Sequence, residues 1–297
     1  MFRNNKDTAD VMGPDCTRWH ADWQSGDHAR LFDSRHVLDG KNLIRNYESF
    51  NDVWLLNEHL DRSRRVSLLE VGCATGEFYR YLRIKYPQVD YYGIDISRAA
   101  IVRAREKYPR AQFFLNDPNL RLVDTLKQLG IPEDPDIVYV KDVVHHQTNP
   151  WEFVTQLLEA TSETLIMRVR TREVGPTVTD PELSCQYHYD GWMPYIVMNL
   201  QELIDHITSQ RQKCELVVHR NHVILGGREN RFLPKECYLP ETGTAETAVG
   251  VFLRTEHPGS VRVADRKDQD IRYSLDYRLK NYARRILRNL VSWGFQS

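Results

Sequence analysis

No stretch of this 297-residue sequence reaches the ~20 consecutive apolar residues that span a bilayer, so no membrane-crossing helix is expected. The amino terminus, Met-Phe-Arg-Asn-Asn-Lys-Asp, lacks the apolar core of a secretory signal. C-x-x-C is missing as well. The five cysteines (Cys16, Cys73, Cys185, Cys214 and Cys237) are odd in number and widely spaced, which fits free thiols in a reducing compartment better than a disulfide framework. An excess of one charge is also lacking. Forty Lys and Arg nearly cancel 41 Asp and Glu, so no global field draws the chain to nucleic acid or an anionic membrane. Internal repeats and low-complexity tracts are absent, which excludes a solenoid or a disordered hub. A cytoplasmic protein with one α/β domain and helical attachments is therefore expected.

Between residues 66 and 170 the sequence alternates short apolar runs with helical segments, the pattern of a parallel sheet with crossover helices. Strands are predicted at 66–71, 90–94, 111–115, 136–140 and 164–169. Helices are predicted at 76–86, 97–108, 121–129 and 149–160, ended by Pro87, Pro109 and Gly130 in the first three cases. After residue 170 the rhythm changes. A helix is expected at 193–207, and strands at 214–224 and 248–254 that pair antiparallel, because no full crossover helix fits between them. Upstream, residues 40–60 read as a helix by their apolar spacing. Downstream, apolar positions 271, 275, 279, 282, 286, 290 and 293 mark one face of a long helix. The division expected is an N-terminal helical cap and substrate region (1–62), a catalytic domain (63–256) and an amphipathic C-terminal helix (257–297).

The sharpest motif is the strand-to-helix turn Glu70-Val71-Gly72-Cys73-Ala74-Thr75-Gly76. Glycines at 72 and 76 let the backbone turn tightly and approach a ligand closely, and the helix that follows directs amides at it. Dinucleotide sites carry G-x-G-x-x-G against a pyrophosphate; here the pattern is E-x-G-x-x-x-G. An acidic residue in that strand suits a ligand with a cationic end. Asp95 closes the second strand 23 residues after Gly72, where a carboxylate about 20 residues on holds ribose hydroxyls. Asn116 and Asp117 close the third strand, where they are placed to read an adenine amino group.

With LLEVGCATGEF, YYGIDIS, FFLNDP and DIVYVKDVVHH in order and at matching spacing, residues 66 to about 170 resemble the class I S-adenosylmethionine-dependent methyltransferases. The resemblance implies a Rossmann-like, doubly wound, seven-stranded α/β sheet whose last two strands form an antiparallel hairpin. It implies S-adenosyl-L-methionine as cofactor. By the same resemblance Glu70, Gly72, Cys73, Ala74 and Gly76 surround its methionine part, and Asp95 takes the ribose hydroxyls. Ile96 packs on adenine beside Asn116 and Asp117, while Lys141 and Asp142 line the cofactor near its sulfonium. It does not cover the first 60 residues or the last 40, which leaves the acceptor open.

Methyl transfer to a hydroxyl needs positioning and a base. The carboxyl edge of the sheet offers His145 and His146 as catalytic candidates, with His145 preferred, because imidazole titrates near neutrality. Arg170, after the fifth strand, is expected to contact the acceptor. The polar, aromatic insertion at 185–192 supplies Tyr187, His188 and Trp192 as acceptor contacts in a lid. No metal is expected. Cys185 with His188, and His219 with His222, are too few for a zinc site, and magnesium-using relatives carry several aspartates where this chain has Asp142 alone.

The expected reaction is methylation of a small molecule, on the hydroxyl of a sugar or natural product. A catalytic histidine is available, and the Asp/Asn-Pro-Pro-Tyr signature of amino-group methylation is missing. Two alternatives stand beside it: an RNA or protein methyltransferase that docks through the basic C-terminal helix, and a cofactor-binding protein without turnover. The near-zero net charge disfavours nucleic acid. Homodimerisation through the terminal helices remains open.

Overall fold

The computed structural model describes residues 23, 40–60, 63–188, 191–226 and 230–268. The helix expected over 271–293 lies outside them.

Five strands in chain order, β1 (Ser67–Val71), β2 (Asp90–Asp95), β3 (Gln112–Leu115), β4 (Ile137–Lys141) and β5 (Thr164–Arg172), pair in parallel. The chain runs β1-β2-β3 outward on one side, then returns to place β4 against the free edge of β1. Two later strands, β9 (Glu215–His222) and β11 (Ala245–Phe252), complete the seven. β11 is antiparallel to both β5 and β9, in the order β9-β11-β5-β4-β1-β2-β3. The expected antiparallel pair is present, and the described residues between the two strands hold β10 (Arg231–Phe232) and 3₁₀ turns rather than a crossover helix.

Strand alternation sorts the core into two layers. Leu69, Val71, Val138, Val140, Leu165, Met167, Leu216 and Val218 face one side. Leu68, Ile137, Tyr139, Ile166 and Val217 face the other. Successive side chains in a strand point to opposite faces, so a run such as Ile-Val-Tyr-Val feeds both layers and must be covered twice. Helices α5 (Leu122–Leu129), α6 (Pro150–Glu159) and α7 (Leu200–Gln210) cover the first layer. The second is covered by α1 (Gly40–Glu48), α2 (Asn51–His59), α3 (Glu77–Lys85) and α4 (Arg98–Lys107). Caps set the helix starts. Ser97 Oγ accepts from the Ala100 amide at 3.3 Å, and the Asn149 and Asn199 side chains accept from Glu152 and Glu202.

The structure differs from the sequence expectations in four places. The single helix read over 40–60 is two, separated at Ser49 and Phe50. The helix read over 193–207 begins only at Leu200, because Asn199 is the cap and 191–194 forms a strand. The insertion is a small sheet in its own right, with β6 (Cys185–His188), β7 (Gly191–Pro194) and β10 (Arg231–Phe232), rather than a loop. Finally, the segment assigned to the C-terminal helix begins with a strand: β12 (Val261–Asp265) extends the main sheet beside β9, while the two-residue β8 (Met198–Asn199) pairs with β5.

Candidate active site

Because strand order reverses between β1 and β4, a crevice opens at their carboxyl ends, where ligands bind in open α/β sheets. A cavity of about 540 Å³ lies there. Its floor is the ends of four strands: Glu70–Thr75 after β1, Ile94–Ile96 after β2, Asn116 after β3, and Tyr139 with Lys141–Val143 at the end of β4. Asn46, Tyr47 and Phe50 of the α1–α2 segment cover one end, and Leu120, Leu122, Phe153 and Gln156 wall the other.

The glycine turn is shaped by contacts as well as by backbone freedom. Gly72 has φ +84°, and a Cβ placed on it would run into Val143 Cγ2. Gly76 has φ +81°, with Phe113 Cζ 2.6 Å from where a Cβ would sit. Ala74 also lies in the left-handed region, at φ 45°, which costs an L-residue energy. Asp95 holds it there: Oδ2 accepts from the Ala74 amide and Oδ1 from the Ser97 amide, both at 2.8 Å. Each oxygen keeps a lone pair for a ligand hydroxyl.

Burial dominates the carboxyl groups of this turn. It raises the Glu70 pKa to about 8, against the Tyr91 hydroxyl bond that favours the charged form and with Asp95 adding to the rise. Burial raises Asp95 too, opposed by the amide donors from Ser97 and Ala74. Asp142 behaves differently. Desolvation works against its charge but is outweighed by Arg170, Arg168 and Lys141, which hold the carboxyl well below the usual range. It adopts φ +59°, and its Oδ1 accepts from Arg170 Nη1 at 2.8 Å.

Beneath the cavity lies a buried charge cluster. Arg168, almost fully buried, faces Asp52, Asp142, Glu246 and Asp268. Asp52, from α2, is completely buried; it accepts a hydrogen bond from the Tyr139 hydroxyl and lies 3.6 Å from Arg168. The cluster ties the α1–α2 cover to β4, β5 and β11. Pairing of this kind is what makes buried charge tolerable.

The two histidines part company. His146 lines the cavity, and its Nδ1 lies 2.8 Å from the Pro194 carbonyl. A carbonyl only accepts, so Nδ1 carries a proton and Nε2 is the ring nitrogen left to act on a ligand. His145 is buried outside the lining, its ring edge-on to Tyr195 and its Nδ1 without a hydrogen bond. Burial, then His146, Arg170, Arg231 and Arg168, depress its pKa well below the ordinary value and keep it neutral.

Of the other expected site residues, Glu70, Gly72, Cys73, Ala74, Asp95, Ile96, Asn116, Lys141 and Asp142 all line the cavity. Gly76 shapes the turn behind it. Asp117 does not reach the lining, because its Oδ1 is occupied by the amide and side chain of Asn119. Asn116 lines the cavity instead, and its Oδ1 is buried without a partner. Arg170 sits beneath the floor, bonded to Asp142 and to the Tyr195 hydroxyl. Tyr187 and Trp192 pack on each other, and Trp192 on Phe232, in the small sheet away from the cavity. The side chain of His188 lies outside the described residues. Among those residues, no group of three or more His, Cys, Asp or Glu is arranged to hold a metal, and no helix is long and apolar enough to cross a membrane.

Residues 69–163 match the model of a methyltransferase domain. That stretch of the chain is a methyltransferase domain. The matched segment runs from β1 to the start of β5 and contains every strand end that floors the cavity. No curated protein sequence matches the chain. Among solved structures it is similar to the plantazolicin methyltransferase BpumL in complex with a monoazolic desmethylPZN analogue and S-adenosylhomocysteine. The identity is 20%, with 80% of this chain and 93% of that one covered and a TM-score of 0.48. It is also similar to an O-methyltransferase from a trans-AT polyketide synthase of Brevibacillus brevis with S-adenosylhomocysteine (13%, 76% and 74%, 0.46). A third is coclaurine N-methyltransferase (12%, 68% and 71%, 0.46). At such identities and scores these likenesses say nothing of what this methyltransferase acts on.

The residues that line the cavity fit S-adenosylmethionine, the cofactor that the motifs imply. The Gly72 turn leaves no room for a side chain, and Thr75 Oγ1 and Asn116 Oδ1 are buried, cavity-lining polar atoms without partners. Buried polar groups call for partners.

Sequence reading missed Asn46, Tyr47, Phe50, Tyr139 and Phe153 as cavity residues, and Asp52 and Arg168 beneath them. For Tyr139 a signal existed: it shares a strand face with Lys141 two residues on. For the others no motif did.

Proposed function

We propose that this methyltransferase transfers a methyl group to a hydroxyl of a small molecule, a sugar or natural product, with His146 as general base. The observation that carries the reading is the position of His146. Its imidazole stands on the wall of the cavity that Asp95 and the glycine turn also line, with Nδ1 bonded to the Pro194 carbonyl. The cavity volume falls within the ~300–1,000 Å³ of small-molecule sites.

S-adenosylmethionine, when bound, supplies a methyl carbon already activated by its sulfonium. Asp95 would take the ribose hydroxyls, and Asn116 would accept from the adenine amino group through Oδ1. Glu70 would stand beside the methionine part. His146 Nε2 accepts the acceptor hydroxyl proton as the oxygen attacks. The Pro194 carbonyl holds the Nδ1 proton and steadies the imidazolium that results. The α1–α2 cover keeps water from the reacting groups.

Calorimetry with S-adenosylmethionine, followed by release of S-adenosylhomocysteine over a panel of sugar and phenolic hydroxyls, tests the reading. Micromolar binding that weakens at least tenfold in Asp95→Ala, and turnover on at least one hydroxyl, are expected. Binding absent at millimolar cofactor, or turnover confined to amines, would overturn it.

A further inference from the structure

Lys141 is the one lysine or arginine among the described residues that line the cavity. Its ammonium sits 3.3 Å from the centroid of the Phe50 ring and 5.6 Å from that of Tyr47. Aromatic faces hold a cation in place without consuming its N–H groups. Its nearest counter-charge does not consume them either. Asp52 is 3.9 Å away, beyond hydrogen-bond reach, and that carboxylate already takes the Tyr139 hydroxyl and faces Arg168. Asp142, next in sequence, is committed to Arg170. Among the described residues Lys141 therefore has ion-pair and ring neighbours but no hydrogen-bond acceptor. The guanidinium groups of Arg168 and Arg170, by contrast, are paired beneath the floor. An ammonium with three donors, held mostly buried at the cavity wall, is placed to donate to a bound anion.

We propose that Lys141 is an anion-holding residue of the cavity, taking a carboxylate of the bound ligands, with Phe50 and Tyr47 fixing its reach. The proposal rests on the methyltransferase reading. Two sources carry that chemistry: the methionine carboxylate of the cofactor, and an acidic acceptor. In either case the anion offsets the repulsion that a lysine beside a sulfonium creates.

The test compares wild type with Lys141→Met, Lys141→Gln and Lys141→Arg by calorimetry. The ligands are S-adenosylhomocysteine, 5′-methylthioadenosine (which has no carboxylate) and, with S-adenosylhomocysteine saturating, benzoate. If the cofactor is the source, the Met and Gln variants weaken S-adenosylhomocysteine at least tenfold and methylthioadenosine not at all, and Arg restores most of the loss. If the acceptor is the source, S-adenosylhomocysteine binding is unchanged and benzoate binding is lost. Unchanged affinity for both anions in the Met and Gln variants would overturn the proposal and leave the cofactor reading standing. Equal weakening of methylthioadenosine would also overturn it, by showing a general loss of shape. Failure of wild type to bind S-adenosylhomocysteine would instead sink the methyltransferase reading itself. Gln preserves most of the stem, so it serves should Met fail to fold.

Discussion

The Nδ1 of His146 and the carbonyl of Pro194 are 2.8 Å apart, whereas the Nδ1 of the adjacent His145 is buried without a hydrogen bond. The His146 contact joins the short 3₁₀ turn after β4 (Val144–His146) to the end of β7. The small sheet at 185–194 thus orients the imidazole that the proposed mechanism uses as base.

Removing that base should show in turnover. His146→Ala is expected to lower kcat by ~10²–10⁴, with cofactor affinity within a fewfold of wild type and the acidic limb of the kcat–pH profile gone. His145→Ala should leave the profile intact and lower the melting temperature, because its ring is packed against Tyr195 and outside the cavity lining. Equal kcat for His146→Ala and wild type would remove the base assignment.

The turn at Gly72 makes a prediction about packing. In Gly72→Ala the left-handed backbone costs about 1–3 kcal/mol, and the new methyl group meets Val143 Cγ2. Melting temperature and cofactor affinity should both fall. Gly72→Ala with Val143→Ala should recover part of the loss, since the second change relieves the contact but not the φ. A purely additive pair, measured as a double-mutant cycle, would show that the two side chains do not meet.

Glu70 links stability to pH. Its carboxyl sits near pKa 8 in the folded chain, against an ordinary value of 4.5. Between these values the folded state keeps a proton that the unfolded state has released. Stability therefore falls as pH rises from about 4.5 to about 8 through this group, and is level outside that window. Glu70→Gln removes the dependence, so its stability relative to wild type should climb between pH 5 and pH 8 in urea titrations. A constant difference across that range would mean that the Glu70 pKa is not raised by folding.

Much of this was legible in order and spacing. The five parallel strands, the hairpin and the glycine turn with Asp95 in register all follow from local rules: alternation, caps and positive-φ glycines. Ser97 and Asn149 start helices where their side chains reach the third amide on, a contact within one turn of chain. The site was harder to read where neighbours in space are distant in sequence. Asp117 looked as good as Asn116 until the Asn119 turn claimed its oxygen. Tyr187 and Trp192 looked like a lid, but a partner strand at Arg231–Phe232 drew them into a separate sheet.

The sequence by itself determined the fold and the cofactor cradle, because a glycine turn and the acid behind it are set by backbone geometry within one βαβ unit. Only the tertiary structure decided between His145 and His146. That choice rests on a carbonyl 48 residues away. It alone also revealed Lys141 on the ring of Phe50 and above Asp52, on a helix 87 residues from Tyr139. Such contacts are fixed by how the helical cover packs on the sheet, and no local pattern records them.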